Sequence, residues 1–214
     1  MFDVFLNTLY TSFSCFFLFY IIDTYLLKKF NNANERWYLI HGLTNTIVSC
    51  FSYKDMITTF VNPLSTKTDI SLLPTNMILS LHLYHMVFFK LSFIDWLHHI
   101  LMIGIVVPIG IINYNTGSII NYCCFFLSGF PGAIDYYMLF LVKKNVLSKI
   151  TEKKINSYIN LWIRGPFLVI GSYIIFLNIY FDNFPLKSLI VCGLMYWNAQ
   201  YFTKRIVGNY HMNI

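Results

Sequence analysis

The stretch "HLYHMVFFKLSFIDWLHHI", His82 to Ile100, sets four histidines and one aspartate around a single lysine, Lys90, where two long apolar runs meet. The run upstream, Leu72 to Phe89, and the run downstream, Phe93 to Ile112, each approach the ~20 residues a helix needs to cross a hydrocarbon core. The stretch therefore predicts two membrane helices that turn back at Lys90, with titratable groups in their adjoining ends. Working outward, comparable runs cover Leu6 to Leu27, Trp37 to Tyr53, Ser118 to Val142, Ile155 to Phe181 and Leu186 to Phe202. The chain is 57% hydrophobic and only 11% charged, far below the roughly 25% charge of soluble domains. The fold class that follows is all-α, a polytopic membrane helix bundle of about seven helices. The count falls to six if the short second or seventh run does not span. These runs occupy most of the 214 residues, so residues 1–214 read as a single integral-membrane domain.

The net charge of +6 would suit nucleic acid, but its distribution excludes that reading. Seven spans place Lys28, Lys29, Arg36, Lys90, Lys143, Lys144, Lys149, Lys153, Lys154, Lys204 and Arg205 on one side, and Lys54, Lys67 and Lys187 on the other. Cytosolic loops are the ones enriched in Lys and Arg. The expectation is an N-terminus outside or in a lumen and a C-terminus in the cytosol. The loop "KKNVLSKITEKK" is then a topology determinant that also suits anionic lipid. The first run has its charges after it and not before it, unlike a cleavable signal, so it is expected to be retained. Cys15, Cys50, Cys123, Cys124 and Cys192 lie in apolar runs with no Cys-x-x-Cys spacing, and read as small buried hydrophobes.

Topology converts the polar residues into depths, because a helix rises 1.5 Å per residue. His82 and His85 fall one to two turns inside Lys90, and Asp95, His98 and His99 occupy the first turns of the next run. Asp135, Arg164, His41, Asn45 and Asn198 fall at similar depth. The ionisable groups thus converge on the cytosolic third of the bundle, where such residues mark a functional site by default. Asp95 precedes His98 and His99 by three and four residues, the spacing that brings helical side chains together, so it is expected to orient one of them. His98 and His99 point about 100° apart on a helix, which predicts that one faces a cavity and the other braces it. "PIG", "SGFPG" and "RGP" in the fourth, fifth and sixth runs are expected to break intrahelical hydrogen bonds and splay the helices around that cavity.

The ordered set Asp95-x-x-His98-His99, "NTIVS" in the second run, "LSGFPG" with Asp135, "NLWIRGP" and "YWNAQYFTKRI" resembles the TLC-domain family. That family includes the ceramide synthases and the translocating-chain-associated membrane proteins. The resemblance covers about residues 37–204. It implies helices around a cavity open toward the cytosol, in the endoplasmic reticulum, or in a host membrane were the chain viral. It also implies lipid metabolism and a site like that of ceramide synthases, which transfer an acyl group from acyl-CoA to a long-chain amine. On that reading His98 or His99 is the acyl-handling base, Asp95 its orienter, and Asp135 holds the amine or a second histidine. Arg164 or Asn198 stabilises the oxyanion, and His82, His85 and Trp197 complete the substrate-binding set. A neutral imidazole suits base or nucleophile at cytosolic pH. The partners implied are membrane lipid and a fatty acyl chain, with acyl-CoA as co-substrate, no metal or other cofactor and no nucleic acid. The oligomeric state is open, a homodimer included.

Ceramide synthases carry His-Asp-x-x-Asp in the fifth helix, whereas "FPGAID" here keeps only Asp135. Two alternatives to catalysis of this kind therefore accompany it. One is a non-catalytic TLC protein that binds, senses or moves lipid. The other is a His-ligated metal enzyme of lipid metabolism.

Overall fold

The computed structural model describes residues 2–30, 32–65, 70–112 and 116–213, and Lys67, counted above among the outer charges, lies outside them. Every regular element among the described residues is helical. Helix α1 runs Phe2–Ile21 and continues as a π-turn over Ile22–Leu26. It is followed by α2 (Ala33–Val61) and α3 (Leu73–Phe88). The continuous helices α4 (Phe93–Ile112), α5 (Ile119–Lys143) and α6 (Lys149–Tyr180) come next, and α7 (Ser188–His211) closes the bundle. Four of these seven helices, α1, α4, α5 and α6, are long and apolar enough to cross a membrane. Their outward faces carry exposed Phe13, Phe17, Phe93, Trp162 and Tyr173, side chains that lipid accommodates and water does not.

Two helices run on past the charged residues that bound their apolar runs. The second run was bounded by Lys54 and Asp55, yet α2 continues to Val61. Asp55 is used between helices, accepting from Asn121 Nδ2 at 2.6 Å, while Thr58 and Thr59 donate back to the Lys54 and Asp55 carbonyls. Likewise α7 carries Lys204 and Arg205 within the helix, past the expected stop at Phe202. The basic loop is shorter than expected, because Ser148 caps a helix that begins at Lys149, its hydroxyl accepting from Thr151 N.

The expected breakers widen their helices. π-Turns cover Met102–Val106, Phe125–Gly129 and Asn160–Arg164, and in each case the proline, Pro108, Pro131 or Pro166, lies two residues beyond. Proline cannot donate to the carbonyl four residues back. The residue before it shifts register instead: the amides of Val107, Phe130 and Gly165 reach the carbonyls of Met102, Phe125 and Asn160. Such π-bulges are frequent at functional sites.

The bundle is organised around α2, which packs against α3 and against both halves of α5, while α1 lies on α3 and α6 pairs with α7. The α2–α5 approach is close because Gly129 and Gly132 present no side chain to it. A Cβ on Gly129 would meet Ser49 Oγ at 2.9 Å, and one on Gly132 would collide with the Asn45 amide. Two apolar cores result, one around Trp37, Ile40, Leu81 and Tyr84, the other around Tyr122, Leu168 and Met195. In contrast, α4 touches its neighbours sparsely, meeting α7 through its middle and C-terminal half.

Candidate functional site

A cavity of about 310 Å³ lies between α4 and the rest of the bundle. Its lining on α4 extends from Ile94 to Gly110, which at 1.5 Å per residue is about 24 Å of helix. One end is polar, with His41, His82, His85, Asp95, His98, His99, Asp135, Asn156, Asn160 and Arg164. The other is mostly apolar, with residues such as Ile109, Ile119, Leu127, Ile175, Phe184 and Val191. The shape is that of a shaft with an ionisable head.

The imidazoles come from three helices. α3 supplies His82 and His85, whose three-residue separation puts them on one face. The His82 ring packs 4.9 Å from His99 and 5.5 Å from His98, centre to centre. Its Nδ1 donates to the Ile78 carbonyl at 2.7 Å, which leaves Nε2 free. His85 Nδ1 meets His99 Nε2 at 3.2 Å, and the His85 ring stacks on Trp37 at 3.9 Å and 12°. From α2, His41 stacks on Tyr136 at 3.5 Å and accepts from Asn45 Nδ2 through its own Nδ1.

His98 and His99 correct the expectation that only one would face the cavity, since both line it. The 100° between their Cβ directions is bridged by the reach of the rings, which converge on His82 from either side. Ligand atoms of His82, His98 and His99 all lie within 4.8 Å of one another. His98 Nδ1 and His99 Nδ1 are buried with no hydrogen-bond partner among the described residues.

Asp95 lines the same end, but among the described residues its side chain bonds to Ser92 and not to histidine. Asp95 Oδ2 accepts from Ser92 N at 2.9 Å and Ser92 Oγ at 2.7 Å, and Ser92 Oγ accepts from Asp95 N. This is a reciprocal capping box that starts α4. The expected orientation of His98 or His99 by this carboxylate is thus replaced by a helix cap. The Ser-x-x-Asp spacing carries that signal in the sequence. Asp135 accepts from Asn156 Nδ2 at 2.7 Å.

Arg164, in the π-turn of α6, is 9% exposed and belongs to neither of the two ion pairs among the described residues. It donates through Nη2 to Asn198 Oδ1 and lies over the Phe202 ring at 5.7 Å, with Nη1 unpartnered among the described residues. Asn198 is fully buried and is joined to the site through Arg164, since it does not itself line the cavity. Trp197 also falls outside the lining, stacked on Tyr201 at 4.8 Å. It is one position round the helix from Asn198, and that rotation takes it off the inner face.

Sequence reasoning passed over Trp37, Tyr136, Asn156 and Asn160. Trp37 and Tyr136 look like core aromatics by spacing, and nothing local tells a core ring from one that clamps an imidazole. Two ion pairs fix this end of the bundle. Arg36 Nε binds Asp23 Oδ1 at 2.6 Å, Lys144 binds Glu35, and Tyr84 donates to the other oxygen of Asp23 at 2.8 Å. Arg36 immediately precedes Trp37, so the clamp anchors the ring on which His85 rests.

The cysteines are all free; Cys15 and Cys124 are buried, and Cys50 is the exposed exception. Compared with known proteins, the chain matches no family model, no curated protein and no solved structure.

Proposed function

We propose that the chain is a seven-span membrane protein of the TLC-domain type that acts on a lipid, transferring an acyl group from acyl-CoA to a long-chain amine. The observation that carries this reading is the joining of five imidazoles to a cavity whose lining covers about 24 Å of α4. Apolar side chains at one end suit a fatty chain, and neutral imidazoles at the other suit proton transfer. Helices α2, α3 and α7 complete the spans, with the N-terminus outside or in a lumen and the C-terminus in the cytosol. The cavity opens on the cytosolic side, where the lysine-rich loops lie and where acyl-CoA is found. The endoplasmic reticulum is the membrane that the resemblance implies.

In the reaction the amine nitrogen attacks the thioester carbonyl carbon. A C–N bond forms, the carbonyl π pair moves to oxygen, and an imidazole of the cluster accepts the proton the nitrogen loses. Collapse of the oxyanion breaks the C–S bond, and the thiolate takes that proton. Asp135 holds the incoming amine by accepting a hydrogen bond from its nitrogen, and Arg164, steadied by Asn198, faces the oxyanion. His98 and His99 are the residues on which transfer depends.

The test is expression in cells lacking their own ceramide synthases, with N-acyl sphingoid lipids measured by mass spectrometry. Wild-type chain restores them, and His98→Ala and His99→Ala each lower the yield by at least about 100-fold, within the range for loss of acid–base catalysis. Unchanged yield in both variants sinks the assignment. Purified protein that retains acyl-CoA or lipid without consuming it would make the chain a lipid-binding protein instead.

A further inference from the structure

We propose that His82, His98 and His99 together hold one divalent first-row cation at the polar end of the cavity. Their ligand atoms lie within 4.8 Å of one another. Two nitrogens on one tetrahedral ion with Zn–N bonds of 2.0–2.1 Å are about 3.4 Å apart, so small ring rotations close the set. The surroundings supply what metal-bound histidines require. A ligating imidazole gives its other N–H to a carbonyl, carboxylate or second ring, which fixes the tautomer. His82 does this through Nδ1 to the Ile78 carbonyl at 2.7 Å, which directs its Nε2 lone pair to the cluster. His99 Nε2 meets His85 Nδ1 at 3.2 Å, and that contact leaves His99 Nδ1 as the free nitrogen.

The second observation is independent of the spacing. His98 Nδ1 and His99 Nδ1 are buried with no hydrogen-bond partner among the described residues, and leaving buried polar atoms unpaired is costly unless something completes them. A cation satisfies both at once. Asp95 and Asp135 line the same end of the cavity together with Arg164, so two carboxylates offset the added positive charge against one guanidinium. Three protein nitrogens leave a fourth position, and all three rings line the cavity. The fourth ligand is then a water or a lipid oxygen, the arrangement of a catalytic ion as opposed to a closed structural one.

What the ion does rests on the acyl-transfer reading, whereas its presence does not. In that reaction it would polarise the acyl carbonyl, and His98 and His99 would then serve as its ligands in place of serving as the proton acceptor. His85 is a positioning residue that fixes His99.

The protein, tagged without histidines and purified in detergent with no chelator, is assayed for bound metal by elemental mass spectrometry. About one equivalent per chain is expected. Chelation removes it, and titration with zinc restores it. Cobalt(II) in its place gives the intense visible bands of a tetrahedral, nitrogen-ligated ion, a readout on wild-type protein that needs no variant. His82→Gln, His98→Gln and His99→Gln each weaken zinc binding beyond detection, His85→Gln weakens it by about 10–100-fold, and His211→Gln at the exposed C-terminal end of α7 leaves it unchanged. Folded, monodisperse protein that neither carries nor takes up zinc or cobalt overturns the proposal, as does equal zinc affinity in His98→Gln. The two readings fail separately. Ion-loaded protein that transfers no acyl group sinks acyl transfer alone, and ion-free protein that transfers it sinks the ion alone.

Discussion

Helices α2 and α4 both bring histidine to the cavity, and they treat it in opposite ways. On α2, His41 is held by Asn45 and stacked on Tyr136. Asn45, fully buried, in turn accepts from Ser128 Oγ at 2.8 Å, while Ser52 Oγ is a buried atom of that helix without a partner among the described residues. On α4, His98 and His99 each leave a buried nitrogen unpaired, and the helix is fixed mainly by its own Ser92–Asp95 cap. The same contrast holds for glycine: on Gly129 and Gly132, which face α2, an added methyl would strike a neighbour, whereas on Gly104 and Gly110 of α4 it would meet nothing within 4 Å. Most polar groups of α2 find partners within the bundle, whereas the two histidines that line the cavity from α4 keep an open nitrogen each among the described residues, and the cavity is the side from which a partner for them would enter.

Breaking the α2 hub should have the largest effect on stability. Asn45→Ala strands both Ser128 and His41, and at 1–3 kcal/mol per stranded group with partial compensation it is expected to cost about 3 kcal/mol. Unfolding in mixed micelles with a denaturing detergent measures it. His98→Ala, which removes no hydrogen bond, is expected to stay within about 1 kcal/mol of wild type in the same assay. A loss as large as that of Asn45→Ala would erase the distinction between the two helices.

Next in size is Gly132→Ala, whose methyl group collides with the Asn45 amide and should cost about 2 kcal/mol through overpacking. The double variant sharpens the point. With Ala at both positions the collision is gone, so the two losses should sum to less than their total, and strict additivity would place the cause elsewhere.

Asp23→Asn removes the charge that Arg36 pairs with and weakens the Tyr84 acceptor. A loss of about 1 kcal/mol is expected, together with looser packing of Trp37 on His85, visible as altered tryptophan fluorescence. The smallest change has the opposite sign. Gly104→Ala, in open space, should stabilise by about 0.5 kcal/mol through helix propensity, and a measured loss would mean that α4 is packed more tightly than its contacts indicate.

Much of the fold was legible because apolar length survives every tertiary influence: the limits of α3, α4 and α5 fall within a residue of the runs that predict them. The ends of α2 and α7 were not, because a charged residue stops a hydrophobic run without stopping a helix, as Asp55 does by finding Asn121 across the bundle. The π-turns were half legible. Proline marks where a hydrogen bond is lost, but whether a helix kinks or widens depends on the room that neighbours leave. In the site, the gathering of His82, His85, His98 and His99 followed from two adjoining spans and a shared depth. The capture of Asp95 by Ser92, the outward rotation of Trp197 and the stacking of Trp37 and Tyr136 depend on competition between neighbours, which spacing along a chain does not rank.

The thin attachment of α4 bears on selectivity. A shaft whose side is a well-packed helix measures its guest, because a methylene too many must displace neighbours locked in place. Here one side leans on few contacts and presents two glycines to open space, so an oversized tail shifts the partition at little energetic cost. Under the acyl-transfer proposal, discrimination by tail length should accordingly be shallow, with a graded series of acyl lengths retained to similar extents.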